Sequence, residues 1–525
     1  MRISVIGCGY LGAVHAACLA SAGHDVVGIE HDPERAHALQ CGTPAIHEPH
    51  LEELLRSGLA AGRLTFSTED SEAEGCDVHF VCVGTPQRDG TGASDTRAVH
   101  GAIDALAAHV RPGQVVVGKS TVPVGTAEEG AARLAERAPG VPLVWNPEFL
   151  REGTAVADTL HPERLVYGID RSVRSAEPDD GTTVHRAAGD GAIDGEAGDA
   201  ASARAVALLD EVYAPQLSVG VPRLITDLAT AQLVKVAANS FLAAKISFIN
   251  AMAEVCEASG GDVDELADAI GMDERIGRSF LDAGLGFGGG CLPKDVRGFR
   301  TRARELGAGG ADALLGAVDQ INARAALDVV ELVRERLGGV LAGHRVCVLG
   351  ATFKPRSDDV REAPGLAIAE VLQREGARVT VADPLGVRGA RRSHPQLTAT
   401  DDLALALEGA HAVVLATAWP EYLGMDPHWA GEQVARRLLV DGRGAMPTTP
   451  WREADWEMHS IGRRRDHGPA AGGEAPAGTR DLLALSLSAA RADTAPGNGR
   501  RGRIDEGVPF VPQRAVAFAP MGGVR

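Results

Sequence analysis

The opening of the chain constrains the fold more than any other segment. A short apolar run, residues 2–6, leads into the turn Gly7-Cys-Gly-Tyr-Leu-Gly12, an apolar helix-like stretch and a second strand-like run that ends at Glu30. Gly7 allows the turn, Gly9 lets the backbone approach a bound phosphate, and Gly12 permits close packing of the helix on the sheet. This order of elements predicts a dinucleotide site with the helix N-terminus facing the phosphates. Glu30 can accept hydrogen bonds from ribose hydroxyls and would repel the extra phosphate of NADP, so the expected cofactor is NAD.

Strand-like and helical patterns alternate along most of the chain, which predicts mainly parallel, doubly wound sheets. We expect an α/β fold with two Rossmann-like domains joined by a central helical domain that contains a long helix over about 226–259. The predicted domains are an N-terminal Rossmann domain at 1–214 with a flexible acidic insertion at about 172–201, a helical domain at 215–337, a second α/β domain at 338–461 and a disordered tail at 462–525.

Composition argues against several classes of partner. The 525-residue chain has 71 acidic and 52 basic side chains, and its net charge of −19 disfavours nucleic acid or an anionic membrane as a general partner. No apolar run reaches the roughly 18 residues of a spanning helix, and no signal-cleavage site follows the N-terminus. The eight cysteines show neither a C-x-x-C pair nor zinc spacing. We expect a cytoplasmic protein with no bound metal.

Residues 284–290 and the cysteine that follows them say most about chemistry. Five glycines in these seven residues make a poor helix or strand, but they allow main-chain atoms to approach a ligand. Cys291 ends the run and is followed closely by Lys294 and Asp295, a pattern typical of a nucleophile with charged neighbours that tune it. The alternative is a small buried cysteine after a loop, which these neighbours disfavour.

Other polar residues lie at predicted strand ends and on one helix face. Lys235 and Asn239 are one helical turn apart, so they fit an oxyanion site, although a snorkelling surface lysine explains Lys235 as well. Thr85 and Thr121, each near a proline, fit either a ligand site or capped turns. Glu148 follows a strand and fits a general base or a charge at a helix N-terminus.

The second α/β unit carries a charged loop after its first strand. This loop, Phe353-Lys-Pro-Arg-Ser-Asp-Asp-Val-Arg361, contains three cations. It fits an ordinary solvated loop or a site for a second phosphate-bearing ligand.

Taken together, these motifs resemble the UDP-glucose/GDP-mannose dehydrogenase family over roughly residues 1–445. The shared motifs are Gly-Cys-Gly-Tyr-Leu-Gly, Ser-Thr-Val-Pro-Val-Gly-Thr, Asn-Pro-Glu-Phe-Leu-Arg-Glu-Gly, Asn-Ser-Phe-Leu-Ala-Ala-Lys, Gly-Phe-Gly-Gly-Gly-Cys-Leu-Pro-Lys-Asp and Phe-Lys-Pro. The resemblance implies an N-terminal NAD domain, a C-terminal nucleotide-sugar domain and a long helix that builds a homodimer or a larger homo-oligomer. It also implies that the primary alcohol of the sugar is oxidised twice, with UDP-glucose as the expected substrate, UDP-glucuronate as the product and GDP-mannose as the alternative substrate.

The resemblance assigns roles to particular residues. The implied catalytic set is Cys291 as the covalent nucleophile, Lys235 and Asn239 as oxyanion stabilisers, Thr121 and Asp295 for water or proton transfer, and Glu148 as the base for thioester hydrolysis. The implied NAD contacts are Gly7, Gly9, Tyr10, Leu11, Gly12, Glu30, Arg35, Thr85, Thr121, Glu152, Lys294 and Arg361. The implied substrate contacts are Glu148, Phe149, Leu150, Arg151, Glu152, Lys235, Asn239, Arg275 from a partner subunit, Phe280, Leu281, Asp282, Ala283, Gly284, Gly288 and Lys354.

Several features depart from the family pattern, and two other classes of protein stay open as alternatives. Gly290 stands where many relatives have serine, and Glu30 replaces a commoner aspartate. The acidic insertion near 175–200 and the tail after about 462 are further departures, since they have no counterpart in the family. Single-oxidation enzymes of the 3-hydroxyacid or 6-phosphogluconate dehydrogenase type share the Rossmann domain, the long helix and the Lys–Asn pair, but need neither the thiol nor a second α/β domain. A non-catalytic NAD-binding protein is the other alternative, which the intact set around Cys291 disfavours.

Overall fold

A computed structural model describes residues 1–170 and 197–463. Most of the predicted insertion at 172–201 and nearly all of the predicted tail at 462–525 therefore lie outside the described residues. The last residues assigned to the insertion are helical from Ala197 onward, because an alanine-rich segment favours a helix.

The N-terminal unit contains one sheet, in which strand order and buried faces explain the apolar sequence runs. Within the described ranges its strands are β1 Arg2–Ile6, β2 Asp25–Ile29, β3 Leu64–Ser67, β4 Val78–Val81, β5 Val115–Gly118, β6 Leu143–Trp145, β7 Leu165–Ile169 and β8 Arg223–Asp227. Their order is β3-β2-β1-β4-β5-β6-β7-β8. All neighbours are parallel except β6 and β7, which meet antiparallel at Trp145 and Gly168. The order reverses between β1 and β4, and ligands bind at such a point in sheets of this kind.

The C-terminal unit repeats this arrangement on a smaller scale. Within the described ranges its strands are β9 Arg345–Leu349, β10 Arg378–Ala382, β11 Thr398–Thr400, β12 Ala412–Leu415, β13 Leu438–Asp441 and β14 Glu457–Ser460. They are all parallel, in the order β11-β10-β9-β12-β13-β14. The expected fold class, with two doubly wound units, is confirmed.

Helices cover the sheets and connect the two units. Those of the N-terminal unit are α1 Tyr10–Ser21, α2 Pro33–Gln40, α3 Leu51–Ala60, α4 Arg97–Leu106, α5 Thr126–Arg137, α6 Ala155–Leu160, α7 Ala197–Val212 and α8 Ala214–Ser218. The connecting region holds α9 Leu228–Ser259, α10 Val263–Gly271, α11 Leu292–Glu305 and α12 Gly309–Arg336. The C-terminal unit adds α13 Pro364–Arg374, α14 Val387–Ser393, α15 Leu403–Leu407, α16 Pro420–Leu423, α17 Pro427–Gln433 and α18 Thr448–Glu453.

The long helix α9 is well defined at both ends. Asp227 caps its start by accepting a hydrogen bond from the backbone N–H of Thr230, and Gly260 ends it in the left-handed conformation. Of the described helices, α9 is long and apolar enough on average to cross a membrane, although no single apolar run in the sequence has that length. It packs against α5, α11, α12 and β7, and Lys235 and Asn239 are buried on it. We therefore interpret α9 as the core helix of a folded domain.

Candidate functional site

The glycine turn after β1 has the shape that a dinucleotide needs. Gly7 has φ +83°, and a side chain there would meet Val83. A Cβ on Gly12 would overlap the carbonyl oxygen of Gly7, because α1 packs against the turn. Apart from the immediate chain neighbours of Gly9, no described residue has a heavy atom within 4 Å of a Cβ built there, so the backbone is open to a phosphate group.

Glu30 follows β2 and is buried, and its hydrogen-bond partners belong to residues that come shortly after it in the sequence. Its Oε1 accepts a hydrogen bond from the backbone N–H of Asp32 at 3.1 Å, and its Oε2 accepts one from Nη1 of Arg35 at 3.2 Å. Each carboxylate oxygen keeps a further lone pair. The segment therefore fits the ribose and phosphates of a dinucleotide, as expected from the sequence.

Tyr10 and Leu11 have local partners in this turn. The hydroxyl of Tyr10 donates to the carboxylate of Glu48, and burial together with Glu48 raises the pKa of Tyr10. Glu48 also accepts from the backbone N–H groups of Gly153 at 2.7 Å and Ala155 at 2.8 Å. Leu11 is half-buried against the N-terminal core. Glu48 thus ties the dinucleotide turn to the segment that carries Glu152, a link that motif reading missed.

Cys291 is the N-cap residue of α11 and lies among three carboxylates. The residue is accessible to solvent, but the cleft around its thiol is crowded by protein atoms, so solvation is poor there. Burial raises the pKa of the thiol to about 12, with Glu148, Glu152 and Asp295 adding to the rise and Lys235 opposing it. The thiol is therefore neutral in this state, although a helix N-terminus alone would favour the thiolate.

Lys235 pairs with Glu148 inside the site. The distance from Nζ to Oε1 is 2.8 Å, and both side chains are largely buried. Burial alone would lower the pKa of Lys235, but Glu148 and Asp295 raise it above its usual value. The lysine is thus a fixed cation close to the thiol, and the surface-lysine alternative is wrong.

A second group of polar atoms links α9 to α11. Nδ2 of Asn239 donates to Oδ2 of Asp295 at 2.6 Å. Nζ of Lys294 donates to Oδ1 of the same carboxylate, also at 2.6 Å. The structure therefore brings Cys291, Lys235, Asn239, Asp295 and Glu148 together from three separate segments.

The segment 148–151 forms one wall of the site. The backbone N–H of Leu150 donates to Oε2 of Glu148 at 2.5 Å, which fixes that carboxylate. The guanidinium of Arg164 lies 3.9 Å from the ring centre of Phe149. Arg151 turns outward and pairs with Asp158, so its charge is directed away from the thiol.

Glu152 connects this wall to the charged loop of the C-terminal unit. Arg361 donates to Glu152 at 3.2 Å and to Asp359 at 2.7 Å. Burial and the neighbouring Asp359 raise the pKa of Glu152 to about 7. Lys354 lies in the same group, where burial lowers its pKa and Glu152 opposes that fall. Arg361, predicted to contact NAD, is thus already held by two carboxylates.

The strand-end threonines contact each other. Oγ1 of Thr85 donates to the backbone carbonyl of Thr121 at 2.7 Å, which joins the segments after β4 and β5, next to the reversal of strand order between β1 and β4. This contact gives Thr85 a local role and leaves the hydroxyl of Thr121 without a described partner of its own.

The glycine run packs largely against the C-terminal unit, whereas its sequence suggested an approach to the ligand. A Cβ on Gly288 would overlap the carbonyl oxygen of Glu362, and one on Gly289 would come 2.8 Å from Phe353. A Cβ on Gly290 would overlap the guanidinium of Arg361. The glycines therefore have a packing reason that the sequence did not reveal.

The predicted substrate loop 280–284 divides into core and surface residues. Leu281 and Ala283 are buried in an apolar cluster around α9 and α10. The backbone N–H of Gly284 donates to Oδ1 of Asn250 at 2.8 Å. Phe280 is partly exposed with φ +66°, and Asp282 is exposed and pairs with Arg278.

Arg275 lies at the surface and is not brought to the thiol within this chain. Its guanidinium pairs with Asp273 at 2.6 Å, and 89% of its side chain is exposed. A role for Arg275 from a partner subunit stays a prediction.

The fold and the glycine turn define a dinucleotide-binding α/β protein with a second Rossmann-like unit. The chain belongs to the UDP-glucose/GDP-mannose dehydrogenase family. Residues 1–181 match its NAD binding domain, residues 229–324 its central domain and residues 347–448 its UDP binding domain.

Two named enzymes and one solved structure are similar to the chain over most of its length. It is 37% identical over 466 residues to UDP-glucose 6-dehydrogenase of Rhizobium meliloti, covering 88% of this chain and 100% of the relative. It is 38% identical over 481 residues to UDP-glucose 6-dehydrogenase of Pseudomonas aeruginosa, covering 89% and 98%. A UDP-glucose dehydrogenase structure from Pyrobaculum islandicum matches with a TM-score of 0.75 at 37% identity, covering 88% of this chain and 98% of that one. The protein is an NAD-dependent oxidoreductase of this family.

Proposed function

We propose that the protein oxidises the primary alcohol of the glucose in UDP-glucose to a carboxylate, producing UDP-glucuronate. The observation that carries this proposal is that Glu148, Asp295 and Lys235 all lie near the Cys291 thiol, with Lys235 paired to Glu148 and Asn239 bonded to Asp295. The names of the related proteins and the match to a UDP binding domain support the choice of substrate.

The thiol explains how one site performs a four-electron oxidation. NAD, when bound, accepts a hydride in each of two successive oxidations. Between them, the sulfur of Cys291 adds to the aldehyde carbon: the C–S bond forms, the C=O π bond opens, the oxygen gains negative charge and the thiol proton passes to the carboxylate of Asp295. Lys235 and Asn239 are placed to stabilise that oxygen. The resulting thiohemiacetal keeps a C–H bond, so it can lose a second hydride to give a thioester.

Hydrolysis of the thioester completes the reaction. A water oxygen attacks the acyl carbon, the C–S bond breaks and the sulfur leaves to regenerate Cys291. Glu148 is the base that takes the proton from that water, since its carboxylate is fixed by Leu150 and Lys235 beside the thiol. Asp295 returns its proton to the departing sulfur, and Thr121 assists this transfer.

In this proposal the two ligands, NAD and the nucleotide sugar, bind to different parts of the chain. The turn after β1 with Glu30 and Arg35 holds NAD, and Lys354 with the loop 280–284 holds the nucleotide sugar. The domain boundaries predicted from the sequence, 1–214, 215–337 and 338–461, stay part of this proposal, and the loop 280–284 belongs to the central one.

We further propose that the protein is a cytoplasmic homodimer built on α9. Three exposed aromatic or apolar side chains on α9 support the dimer: Phe241 is 68% exposed, Phe248 49% and Val255 55%. They are seven residues apart, so they form one stripe along the helix. Analytical ultracentrifugation of the wild type and of a Phe241→Glu, Phe248→Glu variant tests the dimer, and an unchanged mass would contradict it.

The NADH yield from limiting substrate tests the reaction and the sugar together. We expect two NADH per UDP-glucose and none from GDP-mannose, for which the same chemistry would otherwise hold. One NADH per sugar would favour a single-oxidation enzyme, and two from GDP-mannose would change the substrate.

A Cys291→Ser variant tests the covalent step. We expect it to lose full oxidation of UDP-glucose, because serine is a poorer nucleophile and leaving group than a thiol. Cys41→Ser is the matched control, since Cys41 is the other exposed cysteine among the described residues. Full oxidation by the Cys291→Ser variant would remove the covalent role.

A further inference from the structure

A cavity of about 90 Å³ lies behind the wall that carries Glu148. Its inner end is lined by His15, Lys119, Asn146 and Tyr213, all buried, and Glu148 lines it as well. We call this cavity the inner chamber. Phe149, Leu150 and Arg151, which with Glu148 belong to the predicted substrate contacts, also line it. The four residues of the inner end belong to none of the predicted cofactor, substrate or catalytic sets.

The inner end of the chamber has polar groups that protein atoms leave incompletely paired. Nζ of Lys119 donates to Oδ1 of Asn146 at 2.9 Å and to the hydroxyl of Tyr213 at 3.2 Å, and it lies 5.7 Å from the ring centre of Phe80. One of its three protons therefore has no hydrogen-bond acceptor in the described part of the chain. Nε2 of His15 is buried and also has no partner there. Buried polar atoms of this kind are normally satisfied by ordered water.

The chamber also reaches the protein surface. Its outer lining includes His161 and Glu163, which are exposed, and the Arg151–Asp158 ion pair lies beside them. A single water needs about 10–15 Å³ of such space, so the chamber has room for several. Its lining and size are those of a path for water between solvent and Glu148.

The proposed function needs such a path. Hydrolysis consumes one water for each thioester, and a nucleotide sugar and NAD in the cleft would separate Cys291 from bulk solvent. Glu148 touches both regions, since it lines the chamber while its Oε1 holds Lys235 beside the thiol.

We propose that the inner chamber supplies the water that hydrolyses the acyl–Cys291 thioester, with His15 and Lys119 as its positioning residues. This inference rests on the proposed function. Water held by these two side chains moves to Glu148, which takes its proton as the oxygen attacks the acyl carbon. The C–S bond then breaks and the thiol is restored, so no electrons change hands in this step.

Two variants of the full-length enzyme test the role of the chamber. His15→Phe keeps a ring against Phe80, which lies 4.5 Å away, but removes the polar atoms. Lys119→Met keeps the length of the side chain and removes its charge. In stopped-flow experiments with NAD and UDP-glucose, we expect both variants to retain a burst of about two NADH per active site. The steady-state rate should fall at least about tenfold, and intact mass should show an acyl adduct on Cys291.

His79→Phe is the matched control. His79 is a buried histidine on β4 with an unpartnered Nε2, but it does not line the chamber. We expect it to leave the ratio of burst to steady-state rate unchanged. The inference is overturned if the chamber variants that fold show a wild-type ratio, or if burst and steady state fall together. Absence of NADH formation in the wild type would instead reject the proposed function itself.

Discussion

The surroundings of Cys291 keep its thiol protonated in the ligand-free protein. Its thiol is poorly solvated and faces the carboxylates of Glu148, Glu152 and Asp295, all of which disfavour the thiolate. Lys235 opposes them, but it is already engaged by Glu148. Positive charge brought by an oxidised nicotinamide ring would act in the same direction as Lys235.

Alkylation of Cys291 reports this balance directly. Because the pKa of the thiol is raised to about 12, we expect its reaction with iodoacetamide in the ligand-free enzyme to accelerate by about tenfold per pH unit between pH 7 and 10. Glu152→Gln removes one negative charge near the sulfur, which lowers the thiol pKa and should accelerate alkylation at pH 8 roughly threefold to tenfold. Peptide mass spectrometry measures both rates.

Glu163→Gln provides the control for charge. Its carboxylate is 82% exposed and does not contribute to the shifted pKa of Cys291. The two variants should therefore differ in the alkylation rate of Cys291 and agree in that of Cys41. Equal rates for Cys291 in both variants would show that the carboxylates do not hold the thiol neutral.

Two glycines in the loop before Cys291 should differ in how well they tolerate a side chain. Gly288 and Gly290 lie two residues apart, yet their neighbours differ: a Cβ meets the backbone carbonyl of Glu362 in one case and the flexible end of Arg361 in the other. We expect Gly288→Ala to lower the free energy of unfolding by about 2 kcal/mol, because the backbone cannot move aside. Gly290→Ala should change it by less than about 0.5 kcal/mol.

Urea unfolding of the two alanine variants measures this difference, with each serving as the control for the other. Equal losses would mean that the loop moves as a whole. The same comparison bears on Gly290 as a departure from the family pattern, since a side chain there must displace Arg361 from the Glu152 carboxylate.

Elements with strong local signals could be predicted from the sequence, and the contacts between distant segments could not. The bounds of β1, β2 and α9 follow from apolar runs, periodicity and capping residues. The antiparallel step between β6 and β7 leaves no mark in either strand, because both are buried on all sides whatever their direction.

The same limit applies to the site. Motifs identified Cys291, Lys235 and Asn239 because each belongs to a characteristic local run. Glu48 and Lys119 belong to no such run, and their partners lie far along the chain, such as Tyr213 for Lys119. Only the folded backbone brings those atoms within hydrogen-bonding distance.

The described part of the molecule contains two sheets that have the same strand order at their centres. Each has a carboxylate after its second strand, Glu30 after β2 and Asp383 after β10. Asp383 is fully enclosed, with four hydrogen bonds to Oδ2 and two to Oδ1. Glu30 has one partner on each oxygen and can accept more. Glu30 can thus accept hydrogen bonds from a ribose, whereas the hydrogen bonds of Asp383 stabilise the C-terminal unit.

Replacing each carboxylate by the corresponding amide should therefore change a different property of the protein: stability for Asp383 and affinity for NAD for Glu30. Asp383→Asn places an N–H₂ group against buried donors, so we expect a loss of about 3 kcal/mol or more in the stability of the C-terminal unit and unchanged affinity for NAD. Glu30→Gln weakens the hydrogen bonds to the ribose, so we expect a roughly tenfold higher Kd for NAD, about 1.4 kcal/mol, with little change in stability. Titration calorimetry measures the Kd.

Tryptophan fluorescence in urea reports mainly on the C-terminal unit, because four of the five tryptophans, all except Trp145, belong to it. A loss of NAD affinity in folded Asp383→Asn, or of stability in Glu30→Gln, would show that the two units are not divided in this way.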